Sequence, residues 1–62
     1  MKNTIRVERA KRRMSQKDLA DQVDLTRTTI SHIENDKVDP KLSHARRIAK
    51  YFNMKVQELF SL

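Results

Sequence analysis

Apolar side chains recur along this chain at intervals of three and four, the spacing of one helical face. No run alternates apolar with polar over several residues, as a half-buried strand would. The pattern predicts five short helices. The strongest repeat is Leu42, Ala45, Ile48, Ala49 and Phe52, which sets the fourth helix. Pro40 suits the first turn of that helix, where a missing N–H is not needed, with Asp39 as its cap. Residues 36–39 read as a loop.

The second and third helices have the clearest starts. Ser15 can cap one, with Asp18 three positions later close to a capping box, and Leu19, Ala20 and Val23 form its buried side. Thr26 can cap the next, which buries Ile30 and Ile33. Only Asp24, Leu25 and Thr26 separate the two helices, so the chain must turn sharply there. The first helix is expected over 4–13, with Asn3 as cap and Val7, Ala10 and Met14 on one face beside Ile5. Ile5 and Val7 also alternate around Arg6, which leaves residues 2–5 open between helix and extended chain. The fifth helix is expected over 56–60, with Val56 and Leu59 facing in.

Length and composition narrow the classes. A chain of 62 residues is expected to be one domain, 1–62. Such a chain buries only about 60% of its unfolded surface, so its core must be well patterned. There is no cysteine, hence no disulfide framework, and two histidines are too few for a protein-only metal site. Glycine is absent and proline occurs once, so nothing reads as a linker. No apolar run suggests a signal peptide or a membrane span, and the expected location is cytoplasmic, nucleoid-associated when bound to DNA. Fourteen Lys and Arg against eight Asp and Glu give a net charge of +6, which favours an anionic partner. Six of those cations (Lys2, Arg6, Arg9, Lys11, Arg12 and Arg13) crowd the first thirteen positions, as phosphate-tracking segments and solvated helices both do.

The segment 15–37, SQKDLADQVDLTRTTISHIENDK, resembles the helix-turn-helix of the Cro and phage-repressor (XRE-like) family of regulators. Leu19, Ala20, Val23, Leu25, Ile30 and Ile33 fall where that family keeps its packing residues. The Ile33-Glu34-Asn35 ending, the Asp39-Pro40 step, Ile48-Ala49 and Glu58-Leu59-Phe60 extend the match over nearly the whole chain. The resemblance implies an all-α, compact five-helix lambda-repressor-like DNA-binding domain, with the helix-turn-helix at about 16–35. Three positions depart from the family pattern. Asp24 stands in place of a turn glycine, Asp36 in place of a glycine after the third helix, and Lys55 in place of a Ser or Thr cap, which would let the fifth helix fray.

With Ile30 and Ile33 inward, positions 27, 28, 31 and 32 point outward. Arg27, Thr28 and His32 match the family's base-reading positions. An arginine fork can bond two acceptors of guanine, worth about 1–3 kcal/mol against a wrong base. Thr28 can meet a thymine methyl, and His32 can donate to a base or a phosphate. Phosphate contacts are expected from Gln16, Thr26, Thr29, Asn35, Lys37, Lys41 and Ser43, which hold the register while the third helix specifies sequence. The resemblance also pairs Arg9 with Glu34 as a structural ion pair that leaves part of Arg9 for a phosphate. Arg46, Arg47 and Lys50 lie off the fourth helix's apolar stripe and read as a solvated face.

After the core is filled, Val38, Tyr51, Met54, Phe60 and Leu62 are left over. Four of them lie near the C-terminal end, and Tyr51, Met54, Phe60 and Leu62 are the expected homodimer interface, with an inverted-repeat operator. The implied function is sequence-specific binding of double-stranded DNA by a transcriptional regulator, a repressor by resemblance. An antitoxin-type protein-interaction module that also binds its own operator is the alternative. No catalytic constellation, cofactor motif or small-molecule effector site is evident. A membrane-surface helix would need a wide exposed apolar face, and here the stripes are consumed by mutual packing.

Overall fold

The computed structural model describes residues 2–61. The elements run β1 (Lys2–Asn3), α1 (Ile5–Lys11), α2 (Gln16–Gln22), α3 (Arg27–Glu34), α4 (Leu42–Tyr51), α5 (Val56–Leu59) and β2 (Phe60–Ser61). The five-helix all-α architecture expected from the sequence is present, with one addition. β1 and β2 pair antiparallel, Lys2 opposite Ser61 and Asn3 opposite Phe60, and the Thr4 N–H donates to the Leu59 carbonyl at 3.0 Å. Strands of two residues are too short to show alternation, so periodicity alone could not reveal them. Residues 2–3 are thus extended, and helix begins only at Ile5.

One cluster forms the core. Ile5, Leu19, Val23, Ile30, Ile33, Ile48, Phe52, Leu59 and Phe60 are buried in it, with Ala20, Ala45 and Ala49 between helices. Each large member contributes about 1.5–3 kcal/mol by leaving water. α2 and α3 pack on each other more extensively than any other pair of elements.

Helix α1 departs from expectation. Val7 and Ala10 are exposed, while Ile5 and Glu8 are buried and Arg9 is half-buried. Polar side chains can take the inner face because each finds a partner. Arg12 donates to the Glu8 carboxylate at 3.0 Å and lies 4.7 Å over the Phe52 ring, and each side-chain nitrogen of Arg9 makes one bond. Leu42 was expected inside and is exposed. α4 starts at Leu42 rather than at Pro40, with Lys41 as an N-cap that makes no side-chain capping bond. Pro40 and Lys41 therefore stay outside the helix, and Leu42 falls on the outer side of its first turn. α5 forms despite Lys55, because the Glu58 carboxylate accepts the Lys55 N–H at 2.8 Å. Phe60 is extended rather than helical.

Four helices end alike without any glycine. Arg13, Asp24, Asp36 and Asn53 follow α1 to α4 with φ of 53, 56, 58 and 58 degrees. In each case the next residue's N–H returns to a carbonyl of the last helical turn: Met14 to Arg9, Leu25 to Ala20, Lys37 to His32 and Met54 to Ala49. That bond satisfies an otherwise open helix-end carbonyl. Three of the four returning residues (Met14, Leu25 and Met54) also pack against the core. A helix stop and a packing contact are made by the same turn.

Candidate nucleic-acid interface

α3 is fixed first by its own sequence. The Thr26 hydroxyl accepts the Thr29 N–H at 3.1 Å and donates to the Thr29 hydroxyl at 2.8 Å. Thr29 keeps its own hydroxyl proton available for an acceptor outside the protein. α2 starts on a full capping box, in which Ser15 accepts the Asp18 N–H and Asp18 accepts the Ser15 N–H. Those bonds, the N–H of Ser15 foremost, hold the Asp18 carboxyl below its ordinary value. The turn between α2 and α3 is fastened from α4, because Arg47 donates to the carbonyls of Val23 and Asp24 at 3.0 and 3.3 Å. Arg47 is exposed, as its spacing suggests, and is also a structural tie.

Ile30 and Ile33 turn inward, and the outer face of α3 presents Arg27, Thr28 and His32, all exposed. With Ser31 they line a shallow cleft of about 180 Å³. Neither Arg27 nor His32 has a hydrogen bond or ion pair to another described residue, so their donors are available. Lys37, Lys41 and Ser43 are exposed between α3 and the first turn of α4, and Gln16 is half-buried at the start of α2.

The far end of α3 is anchored by charge. Glu34 lies with its side chain only 1% exposed. Arg9 grips it with two nitrogens, Nε to Oε2 at 2.9 Å and Nη2 to Oε1 at 2.7 Å, while Arg9 Nη1 donates to the Met14 carbonyl at 2.7 Å. Each nitrogen of Arg9 has one partner within the chain, which uses three of its five N–H groups, and its side chain is 14% exposed. Arg6 adds a bond to the same carboxylate at 3.1 Å and one to Asn35 Oδ1 at 3.0 Å. Burial pushes the Glu34 carboxyl up, but the bonds and charges of Arg9 and Arg6 outweigh it and hold the group below its usual value. Glu8 is lowered too, chiefly by the Arg12 bond, against burial and with help from Lys11.

Sequence reasoning missed Arg6, Asn3, Arg12 and Arg47. Arg6 could have been found, since it lies three positions before Arg9 on the same helix. Arg12 likewise stands four positions after Glu8. Asn3 is legible only as a cap for α1. Its bonds to α3, the Arg12 contact with Phe52 and the Arg47 tie act across long sequence separations and leave no local signal. Asn35 is engaged on both sides, accepting from Arg6 and donating to Ser31 Oγ at 3.3 Å. Of the expected interface residues, Phe60 is buried in its own chain's core, because β2 turns it inward beside Leu59. Tyr51 is 39% exposed, Met54 is half-buried, and Leu62 lies outside the described residues.

A helix-turn-helix family model matches residues 5–59, from the first residue of α1 to the last of α5. The chain belongs to the helix-turn-helix family. Its relatives include an uncharacterised HTH-type transcriptional regulator of Methanocaldococcus jannaschii, 42% identical over 97% of this chain and 91% of the relative. Another, from Archaeoglobus fulgidus, is 42% identical over 97% of this chain and 86% of its own length. The HTH-type transcriptional regulator YgzD of Bacillus subtilis is 39% identical over 100% and 94%. Membership makes this chain a DNA-binding transcriptional regulator. Among the described residues no helix is long and apolar enough to cross a membrane.

Proposed function

We propose that this family member is a sequence-specific repressor that reads the major groove of double-stranded DNA with α3, as a homodimer on an inverted repeat. The observation that supports it best is the outer face of α3. Arg27, Thr28 and His32 are exposed there on a helix whose opposite side is locked by Ile30, Ile33 and Glu34. A rigid helix presenting unused donors is what base readout needs. Gln16, Thr26, Thr29, Asn35, Lys37, Lys41 and Ser43 are assigned to the phosphates. Asn35 must then share its amide with Ser31, Thr29 contributes its own free hydroxyl proton, and Thr26 must give up its bond to Thr29 to donate to a phosphate.

The test is selection of bound sequences from a random duplex pool, repeated with Arg27→Ala. The variant should lose preference at one base pair per half-site, costing about 1–3 kcal/mol there. An unchanged preference would mean that α3 does not dock in this way.

The dimer reading draws on size: one recognition helix spans too few base pairs to choose a site alone. With Phe60 buried, Tyr51 and Met54 are the described members of the expected interface left to form the contact. Sedimentation equilibrium at micromolar concentration should give twice the mass of one chain, and Tyr51→Glu should halve it and weaken operator binding. A wild-type chain sedimenting as a single copy on and off DNA would refute the dimer.

A further inference from the structure

We propose that Asn3 is a positioning residue for DNA recognition: through it the β1–β2 clasp sets the C-terminal end of α3, and with it the approach of His32 to the base pairs. The inference rests on the base-reading role of α3 stated above. Asn3 Nδ2 donates to the Ile33 carbonyl at 3.0 Å and to Asp36 Oδ1 at 3.1 Å, with the Glu34 carbonyl at 3.4 Å. Its Oδ1 accepts the Ile5 N–H at 3.0 Å. The orientation of the amide follows from its partners, because a backbone N–H can only donate and the carbonyls can only accept. One short side chain therefore closes the start of α1 and the end of α3 together. Its own backbone is held opposite Phe60 in the clasp.

The last carbonyls of a helix have no partner within it. In α3 the N–H groups of Asp36 and Lys37 return to Ile33 and His32. Among the described residues the Glu34 carbonyl has no such return, and the Asn3 amide, whose shorter bonds go to Ile33 and Asp36, lies 3.4 Å from it. Arg6 and Arg9 hold the same end by its side chains, but both act on long, pivoting guanidinium stems. Asn3 acts on the backbone itself, through a stem of one carbon.

Leverage makes this matter for reading as well as for stability. α3 has eight residues, so it is about 12 Å long, and a pivot of about 5° about its capped start moves its far end by about 1 Å. Arg27 lies at the pivot and is hardly displaced. His32 lies at the moving end, where its own carbonyl already belongs to the clamped turn. Loss of the clamp should blur the base pairs met by the second half of α3 and spare those met by Arg27.

Asn3→Asp separates the two jobs of the side chain. It keeps an acceptor toward Ile5, removes the donor, and places a negative charge against Asp36 and the carbonyl end of α3. Affinities for the selected and a scrambled duplex are measured at a temperature where circular dichroism shows the variant folded like wild type. The ratio of the two should fall about tenfold, with preference lost at the His32 end and kept at the Arg27 end. The scrambled duplex removes the general effect of the added charge. Adding Asp36→Asn exchanges donor and acceptor across this contact and should restore part of the ratio. If Asn3→Asp does not fold, Asn3→Ser, whose hydroxyl is too short to reach the carbonyls, gives the same readout. A folded variant with lower Tm but the wild-type ratio would overturn the proposal and leave Asn3 as a stabilising contact. If wild type itself failed to discriminate, or Arg27→Ala changed nothing, the reading of α3 would fall and this inference with it. A wild-type ratio in Asn3→Asp beside an impaired Arg27→Ala would defeat the inference alone.

Discussion

Replacing Arg13 by glycine should make the protein more stable, although it deletes a large side chain. Arg13 sits just beyond α1 at φ 53, a left-handed conformation that costs an ordinary L-residue about 1–2 kcal/mol. Its side chain is exposed and makes no hydrogen bond or ion pair to another described residue, so little is lost with it. Glycine removes the strain but gives the unfolded chain more freedom, which takes back about 0.5–1 kcal/mol. The net gain is about 0.5–1 kcal/mol, a rise in Tm of about 2–8 °C for a domain of this size. Arg13→Ala is the control, because it deletes the same guanidinium and keeps the Cβ that causes the strain. Thermal melts followed by circular dichroism should place the glycine variant above the alanine variant by about 1 kcal/mol. If glycine melts at or below alanine, the left-handed turn is not strained and the reasoning fails. Gains at Asp24, Asp36 and Asn53 should be smaller, since short polar side chains tolerate this conformation better.

Glu34→Ala should destabilise by about 3–5 kcal/mol, because it strands Arg9 in a largely buried site. A double-mutant cycle with Arg9→Ala should give a coupling of about 1–3 kcal/mol, and a value near zero would mean that the pair is not formed in solution. Glu34 and Glu8 both titrate below their ordinary value of 4.5 in the folded chain. The unfolded chain therefore takes up protons first, so the stability these groups confer is full above that value and fades as pH falls through their folded pKa values. Melts in stepped buffers should show Tm declining below about pH 4.5, with a shallower decline in Glu34→Gln; a Tm independent of pH down to pH 3 would contradict this. Gln16→Ala should weaken selected and scrambled duplexes alike and, because the side chain is neutral, leave the salt slope unchanged, in contrast to the base-specific loss in Arg27→Ala. A change in base preference in Gln16→Ala would move that residue from the phosphates to the bases.

The helix-turn-helix was the most legible part of the chain because its signals are local. The Ser15 and Thr26 caps act within one turn, and the burial of Leu19, Ala20, Val23, Ile30 and Ile33 follows helical spacing. Asp24 and Asp36 stood out as glycine substitutes and both adopt left-handed φ, whereas Arg13 and Asn53 gave no such signal. Helix α1 misled because its inner face is built from charges. Spacing of Val7 and Ala10 cannot compete with Glu8 and Arg9 once Glu8 pairs with Arg12 at the end of its own helix and Arg9 with Glu34 on α3. Leu42 misled because the apolar stripe began one turn before the helix could bury it. Phe60 reads as a surplus apolar residue because its place opposite Asn3 depends on a pairing between segments far apart in the chain.

That end-to-end pairing also has a consequence in time. Contacts within and between α2 and α3 join residues close in sequence and can form quickly, whereas the Asn3–Phe60 pair must bring together nearly the whole chain. The order of folding should therefore run from the helix-turn-helix outward, with the clasp closing last. Substitutions at Leu19 or Ile30 should slow folding, and those at Asn3 should chiefly speed unfolding. Seen this way, α3 is a helix well before its far end is held. Helix α3 should then take its shape early and have its far end fixed only at the final step.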